Sequence, residues 1–109
     1  MIMASIKDAL NFKGKTAVIT GGNKGLGVTI ARRFAEAGAN VVITYFSEEM
    51  KEDAECFAGT LENGENKALA LKLDVRSREE IKAMVKAVEE QLGTIDYLIN
   101  NCLLYTSDA

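Results

Sequence analysis

A β-branched run, Thr16 to Thr20, stops at glycine and gives way to a segment of helical periodicity, and this exchange then repeats along the chain. From Gly25 to Ala37 the apolar residues Leu26, Ile30, Ala31, Phe34 and Ala35 fall on one helical face, with Arg32, Arg33 and Glu36 elsewhere. Gly38 is placed to close that helix. Asn40 to Tyr45 reads as a second strand. Ser47 reads as the N-cap of a helix running to about Glu62, with Glu48 and Glu49 in its first turn. Met50, Ala54, Phe57, Ala58 and Leu61 form its apolar stripe. Beyond the turn at Asn63-Gly64, Lys67 to Leu73 predicts a third strand. Ser77 then caps a third helix, with Glu80 at capping-box spacing and Ile81, Met84, Val85, Val88 and Leu92 on its buried face. Gly93 ends that helix, and Ile95 to Asn100 predicts a fourth strand. Strand–helix units in unbroken alternation, without repeats or proline, predict an α/β fold with a parallel sheet and right-handed crossovers.

The chain has 109 residues, 48% of them hydrophobic and 27% charged, enough for one domain with a core. Its 13 basic and 16 acidic residues leave a net charge of −3, which argues against a nucleic-acid or anionic-membrane binder. No stretch approaches the roughly 20 apolar residues of a membrane span. Residues 1–11 read as an N-terminal extension without a signal peptide's apolar segment, so a cytoplasmic location is expected. With only Cys56 and Cys102, and no histidine, neither a disulfide framework nor a metal site is expected. Imidazole acid–base chemistry is excluded.

The segment that carries chemistry is Thr20-Gly21-Gly22-Asn23-Lys24-Gly25-Leu26-Gly27, between the first strand and the first helix. Gly21 can start a tight turn at positive φ, Gly25 lets backbone approach a pyrophosphate, and Gly27 lets helix and strand pack closely. The helix N-terminus adds unpaired N–H groups and a positive dipole, so an acidic protein can still hold an anion locally. A structural turn would also use glycine, but the strand, helix and following strand all fall where a dinucleotide site needs them. The fold class expected is therefore a Rossmann-type doubly wound parallel sheet, here reaching its fourth strand.

The spacing Gly-x-x-x-Gly-x-Gly after the first strand resembles the short-chain dehydrogenase/reductase family. Leu73-Asp74-Val75 after the third strand, and Ile95-Asp96-Tyr97-Leu98-Ile99-Asn100-Asn101 along the fourth, match it in register. The resemblance spans residues 12–101, read as part of a dinucleotide-binding domain. It implies that Gly21, Gly25 and Gly27 cradle the pyrophosphate, with Asn23 and Leu26 lending backbone contacts. Asp74 would accept from the adenine amino group, Val75 would pack on the adenine, and Asn100 would brace the sheet and border the ribose. Outside that resemblance, Asp74 is equally a strand-end carboxylate and Asn100 a turn residue.

An NAD site usually has a carboxylate about 20 residues after the glycines, at the end of the second strand. Here that end reads Thr44-Tyr45-Phe46-Ser47, with no acid before Glu48. Lys24 stands before the second glycine, where a basic residue in the resembling family goes with NADP, and Ser47 could donate to the same phosphate. The expected cofactor is NADP in preference to NAD, although Lys24 also suits a solvated loop and Glu48 could reach a ribose.

The family's catalytic Tyr-x-x-x-Lys pair is not found: Tyr45, Tyr97 and Tyr105 are followed four positions on by Glu49, Asn101 and Ala109. No catalytic residue is assigned. Residues 102–109 follow neither the family nor the strand–helix rhythm and read as an in-frame translation of a sequencing-library adapter, hence a non-native tail; a divergent natural end is the alternative. The resemblance therefore implies the N-terminal, cofactor-binding half of an NADP-dependent short-chain oxidoreductase, truncated after the fourth strand and inactive alone. Such a half-domain is expected to be weakly stable, and its full-length parent to be homo-oligomeric. Within the family, the nearest resemblance is to bacterial 3-oxoacyl-acyl-carrier-protein reductases, which implies an acyl-carrier or small-molecule substrate. Sugar and polyol dehydrogenases share these segments, and a non-catalytic dinucleotide-binding module is the alternative from another class. A phosphorylation-controlled receiver domain is set aside, since it needs an acidic cluster where Thr20 and Gly21 stand.

Overall fold

The structure is a computed structural model, and it describes residues 12–101; the expected N-terminal extension and the tail at 102–109 lie outside them. The strands are β1 (Thr16–Ile19), β2 (Asn40–Tyr45), β3 (Ala68–Lys72) and β4 (Tyr97–Ile99). The helices are α1 (Gly25–Glu36), α2 (Lys51–Leu61) and α3 (Arg78–Leu92). All pairings are parallel, in the order β3-β2-β1-β4, with Val18 opposite Val42 on one side and Leu98 on the other.

The two faces of the sheet follow from strand alternation. Ala17, Ile19, Val41, Ile43 and Tyr45 point to the face covered by α1 and α2, where they meet Ala31, Ala35, Ala54, Ala58 and Leu61. Val18 and Val42 point the other way, onto Met84 and Val88 of α3. Val18, Ile19, Val41, Val42 and Ile43 are fully buried, and each such side chain stabilises the fold by about 1.5–3 kcal/mol relative to exposure. Helices on both faces make the fold doubly wound. β1 and β4 are neighbours although two strands separate them in sequence, so the chain order reverses between them, and a crevice opens at their carboxyl ends.

The first strand is also tied to the fourth by polar contacts at both ends. The Thr16 amide donates to Asp96 Oδ2 at 2.9 Å, and the Asp96 amide returns to the Thr16 carbonyl. Phe12, Phe34 and Tyr97 meet with ring centroids 5.3–5.5 Å apart beside β4. Leu98 is 59% exposed on this strand, which pairs only with β1 among the described residues.

Three local expectations need correction. Leu26 does not join the buried face of α1, being 52% exposed; that face is centred on the small residues Gly27, Ala31 and Ala35, which let the helix lie close to the sheet. Ser47 does not cap α2. The chain leaves β2 extended and makes a 3-10 turn at Glu48–Met50, and no cap hydrogen bond forms to the Ser47 side chain before α2 begins at Lys51. At α3 the Ser77 hydroxyl accepts from the Glu80 amide as expected, but the Glu80 carboxylate accepts from the Asp74 amide instead of closing the box on Ser77.

Candidate functional site

The carboxyl ends of the strands carry every residue singled out in the sequence: Gly21 to Gly27 after β1, Ser47 after β2, Asp74 and Val75 after β3, and Asn100 after β4. A parallel sheet brings these loops to one end without further devices.

The glycine loop is built from backbone. Gly21 has φ +65° and Gly25 has φ +51°, a region where a side chain is strained. The Gly21 amide donates to the buried Thr44 hydroxyl oxygen of β2 at 3.2 Å. A Cβ on Gly27 would lie 2.5 Å from the Gly21 carbonyl oxygen, 2.8 Å from Asn101 Nδ2 and 2.9 Å from Gly22 Cα. Gly22, not singled out in the sequence, is equally hemmed in: its Cβ would meet Ile43 Cγ2 at 2.6 Å. Helix α1 then starts from Lys24 with no side-chain cap and no acidic residue in its first turn, whereas α2 carries Glu52 and Asp53 there and α3 carries Glu79 and Glu80. Its first N–H groups and the positive end of its dipole are not balanced by acidic side chains of its own first turn.

Around this cradle the side chains divide into exposed and braced. Lys24 and Leu26 are exposed. The Asn23 amide points to Met50 Sδ at 3.6 Å, leaving its main chain for the loop. The Thr20 hydroxyl lies 3.1 Å from Asn100 Oδ1 and 3.4 Å from the Ile99 carbonyl, linking the ends of β1 and β4. The buried brace, however, is Asn101: its Nδ2 donates to the Gly21 carbonyl at 3.2 Å, and its Oδ1 is buried without a partner among the described residues. Sequence reasoning favoured Asn100 over its neighbour. The signal available was that consecutive residues at a strand end face opposite ways, so only one of two asparagines can point inward.

At the ends of β2 and β3 the structure adds two residues the sequence reading passed over. Arg76 grips Asp74 at both oxygens, Nε to Oδ1 at 3.0 Å and Nη2 to Oδ2 at 3.1 Å, and its amide also donates to Oδ1 at 2.9 Å. These hydrogen bonds hold the Asp74 carboxyl below the usual carboxylate range. The Arg76 guanidinium lies 5.5 Å over the ring of exposed Phe46. Glu48, the first acid after β2, turns to Lys72, at 3.7 Å. Val75 is half-buried against the core beneath α3. Ser47 is half-buried and makes no hydrogen bond to the glycine loop.

A doubly wound parallel sheet with a glycine cradle on an uncapped helix N-terminus, set at the point where strand order reverses, defines a Rossmann-type nucleotide-binding protein. The chain belongs to the short chain dehydrogenase family, whose model matches residues 15–107. It is 40% identical over 88 residues to glucose 1-dehydrogenase 2 of Bacillus subtilis, covering 81% of this chain and 33% of that protein. It is 37% identical over 87 residues to a 3-oxoacyl-acyl-carrier-protein reductase of Staphylococcus aureus, covering 80% of this chain and 35% of that one. Among solved structures, a blue fluorescent protein from a metagenomic library, in complex with NADPH, superposes with a TM-score of 0.78 at 36% identity, over 84% of this chain and 37% of that one. The chain thus spans about a third of the length of the curated relatives it matches. Among the described residues no helix is long and apolar enough to cross a membrane.

Proposed function

We propose that this chain is the cofactor-binding part of an NADP-dependent short-chain oxidoreductase whose parent reduces a ketone, a 3-oxoacyl thioester being the leading candidate. The observation that carries the reading is the glycine cradle. A Cβ at residue 27 would strike backbone at 2.5 Å, and the helix it opens presents N–H groups with no acidic residue in the first turn. These residues suit a pyrophosphate, so the fold and the loop fit the group. When bound, a nicotinamide dinucleotide supplies or accepts a hydride.

The roles are those that the family resemblance implies, and the loops that carry these residues share one end of the sheet. Gly21, Gly25 and Gly27 bring main chain to the diphosphate, and Asn23 and Leu26 add their backbone beside it. Asp74 and Val75 receive the adenine, the first by accepting from its amino group and the second by apolar contact. Asn100 borders the ribose. Lys24 and Ser47 take the adenosine phosphate. The preference for NADP rests on the exposed Lys24 and on the engagement of Glu48 with Lys72, which draws the first acid after β2 toward β3. The NADPH-bound structure among the similar folds supports the same reading. Substrate choice is left to the parent, since relatives at 40% and 37% identity carry the names of a glucose dehydrogenase and an acyl-carrier-protein reductase.

The test is a fluorescence titration of the chain with NADPH and NADH, repeated for Lys24→Ala. Tighter binding of NADPH, with the difference reduced about tenfold in the variant, is the expected result. Equal affinities in the wild type would remove the NADP assignment, and no binding of either would remove the dinucleotide reading.

A further inference from the structure

The carboxylate at the end of β3 is already committed. A carboxylate offers about four acceptor positions, two on each oxygen. Oδ1 of Asp74 receives both the Arg76 amide and Arg76 Nε, and Oδ2 receives Arg76 Nη2 alone. One acceptor direction is therefore left, on Oδ2. The backbone beneath it is fixed as well, because the Asp74 amide donates to Glu80 Oε1 at 3.0 Å and the Asp74 carbonyl accepts from the Ser77 amide at 2.9 Å. Arg76 in turn is steadied by the Phe46 ring of the neighbouring strand end, although its own side chain is 77% exposed.

We propose that Arg76 is a positioning residue for base recognition: by clamping Asp74 it leaves a single, oriented acceptor on Oδ2 that takes an exocyclic amino group and disfavours a carbonyl. This rests on the dinucleotide reading above and deepens it, since it makes the Asp74–Arg76 pair the element that separates adenine from hypoxanthine. Adenine presents an amino donor at C6, whereas hypoxanthine presents a carbonyl oxygen there. Facing Oδ2, that oxygen sets acceptor against acceptor and leaves both without a proton. A free aspartate could rotate or take a proton to accommodate it. One held at three points by Arg76 resists rotation, and the guanidinium disfavours its protonation. Lysine in place of Arg76 keeps the charge but lacks the planar fork and the flat face against Phe46.

The test compares binding of NADPH and of its hypoxanthine counterpart, reduced nicotinamide hypoxanthine dinucleotide phosphate, to the chain by fluorescence titration. The wild type is expected to favour NADPH by about tenfold. In Arg76→Lys and Arg76→Gln the preference should shrink to within about twofold, through weaker binding of NADPH together with easier accommodation of the hypoxanthine counterpart. A wild type that binds the two equally overturns the proposal while leaving the dinucleotide reading in place. So does a variant that keeps the preference, or one that weakens both ligands equally, which is the mark of a merely structural role. Failure of the wild type to bind either ligand overturns both readings. Because Arg76 is exposed, its variants should fold; Phe46→Leu, which removes only the ring beneath the guanidinium, supplies an independent variant and should lower the preference part of the way.

Discussion

Replacing Gly27 with alanine adds one methyl group at a place with no room for it. Its Cβ would stand 2.5 Å from the Gly21 carbonyl oxygen and 2.9 Å from Gly22 Cα, both main chain, and 2.8 Å from a buried amide nitrogen of Asn101. The two main-chain atoms cannot swing aside and the buried Asn101 amide is tied to Gly21, so α1 must move off the loop. Overpacking of this kind costs about 1–3 kcal/mol. The helix propensity of alanine returns at most about 1 kcal/mol, leaving a net loss. Gly59 in α2 is the matched control, since nothing lies within 4 Å of a Cβ there. Gly59→Ala should stabilise the chain by about 0.5–1 kcal/mol. The two variants add the same group to the same kind of element, and changes in the unfolded chain largely cancel between them. Their stabilities should differ by about 2 kcal/mol. Urea titration followed by helical circular dichroism reads the difference, and NADPH affinity should fall only for Gly27→Ala. If Gly27→Ala raises the midpoint as much as Gly59→Ala, the close packing of the cradle is refuted.

Three further outcomes follow from the same geometry. Asn101→Ala removes the amide that holds the Gly21 carbonyl and opens a small void, so the urea midpoint should drop by the equivalent of about 1–2 kcal/mol, with faster amide exchange at Gly21 and Gly22; unchanged exchange there would discount the brace. Arg76→Gln should raise the Asp74 titration midpoint toward the ordinary carboxylate value, as read by the carboxyl carbon-13 shift, and an unmoved midpoint would discount the clamp. Because Asp74 is lowered in the folded chain, its contribution to stability is present above about pH 4 and is lost as pH falls further, and the variant should lose less in that range.

The strands and helices were legible because each carries its own period. Val18 and Val42 alternate with Ile19 and Ile43 between the two faces, and Ala31 and Ala35 recur at helical spacing, so faces and order could be read before contacts were known. The glycine loop was legible for a related reason, since its residues are adjacent in sequence and their task is main-chain geometry. What escaped were contacts between segments far apart in the chain. Asn101 meets Gly21 across 80 positions, and Arg76 meets Phe46 across two loops. Leu26 was misread because periodicity gives a helix its apolar side but not the turn at which the sheet beneath it ends. Ser47 was misread because its residue type suits a cap, while the extended exit from β2 and the tight turn that follows put α2 out of its reach.

The most direct test of the central claim is a map of backbone amide shifts as NADPH is titrated into the chain. The largest changes should fall on Gly21 to Gly27, with a second group at Asp74 to Arg76, while Gly59 and Gly64 stay still. Shifts scattered away from the strand ends, or confined to another surface, would contradict a dinucleotide site built on the glycine cradle.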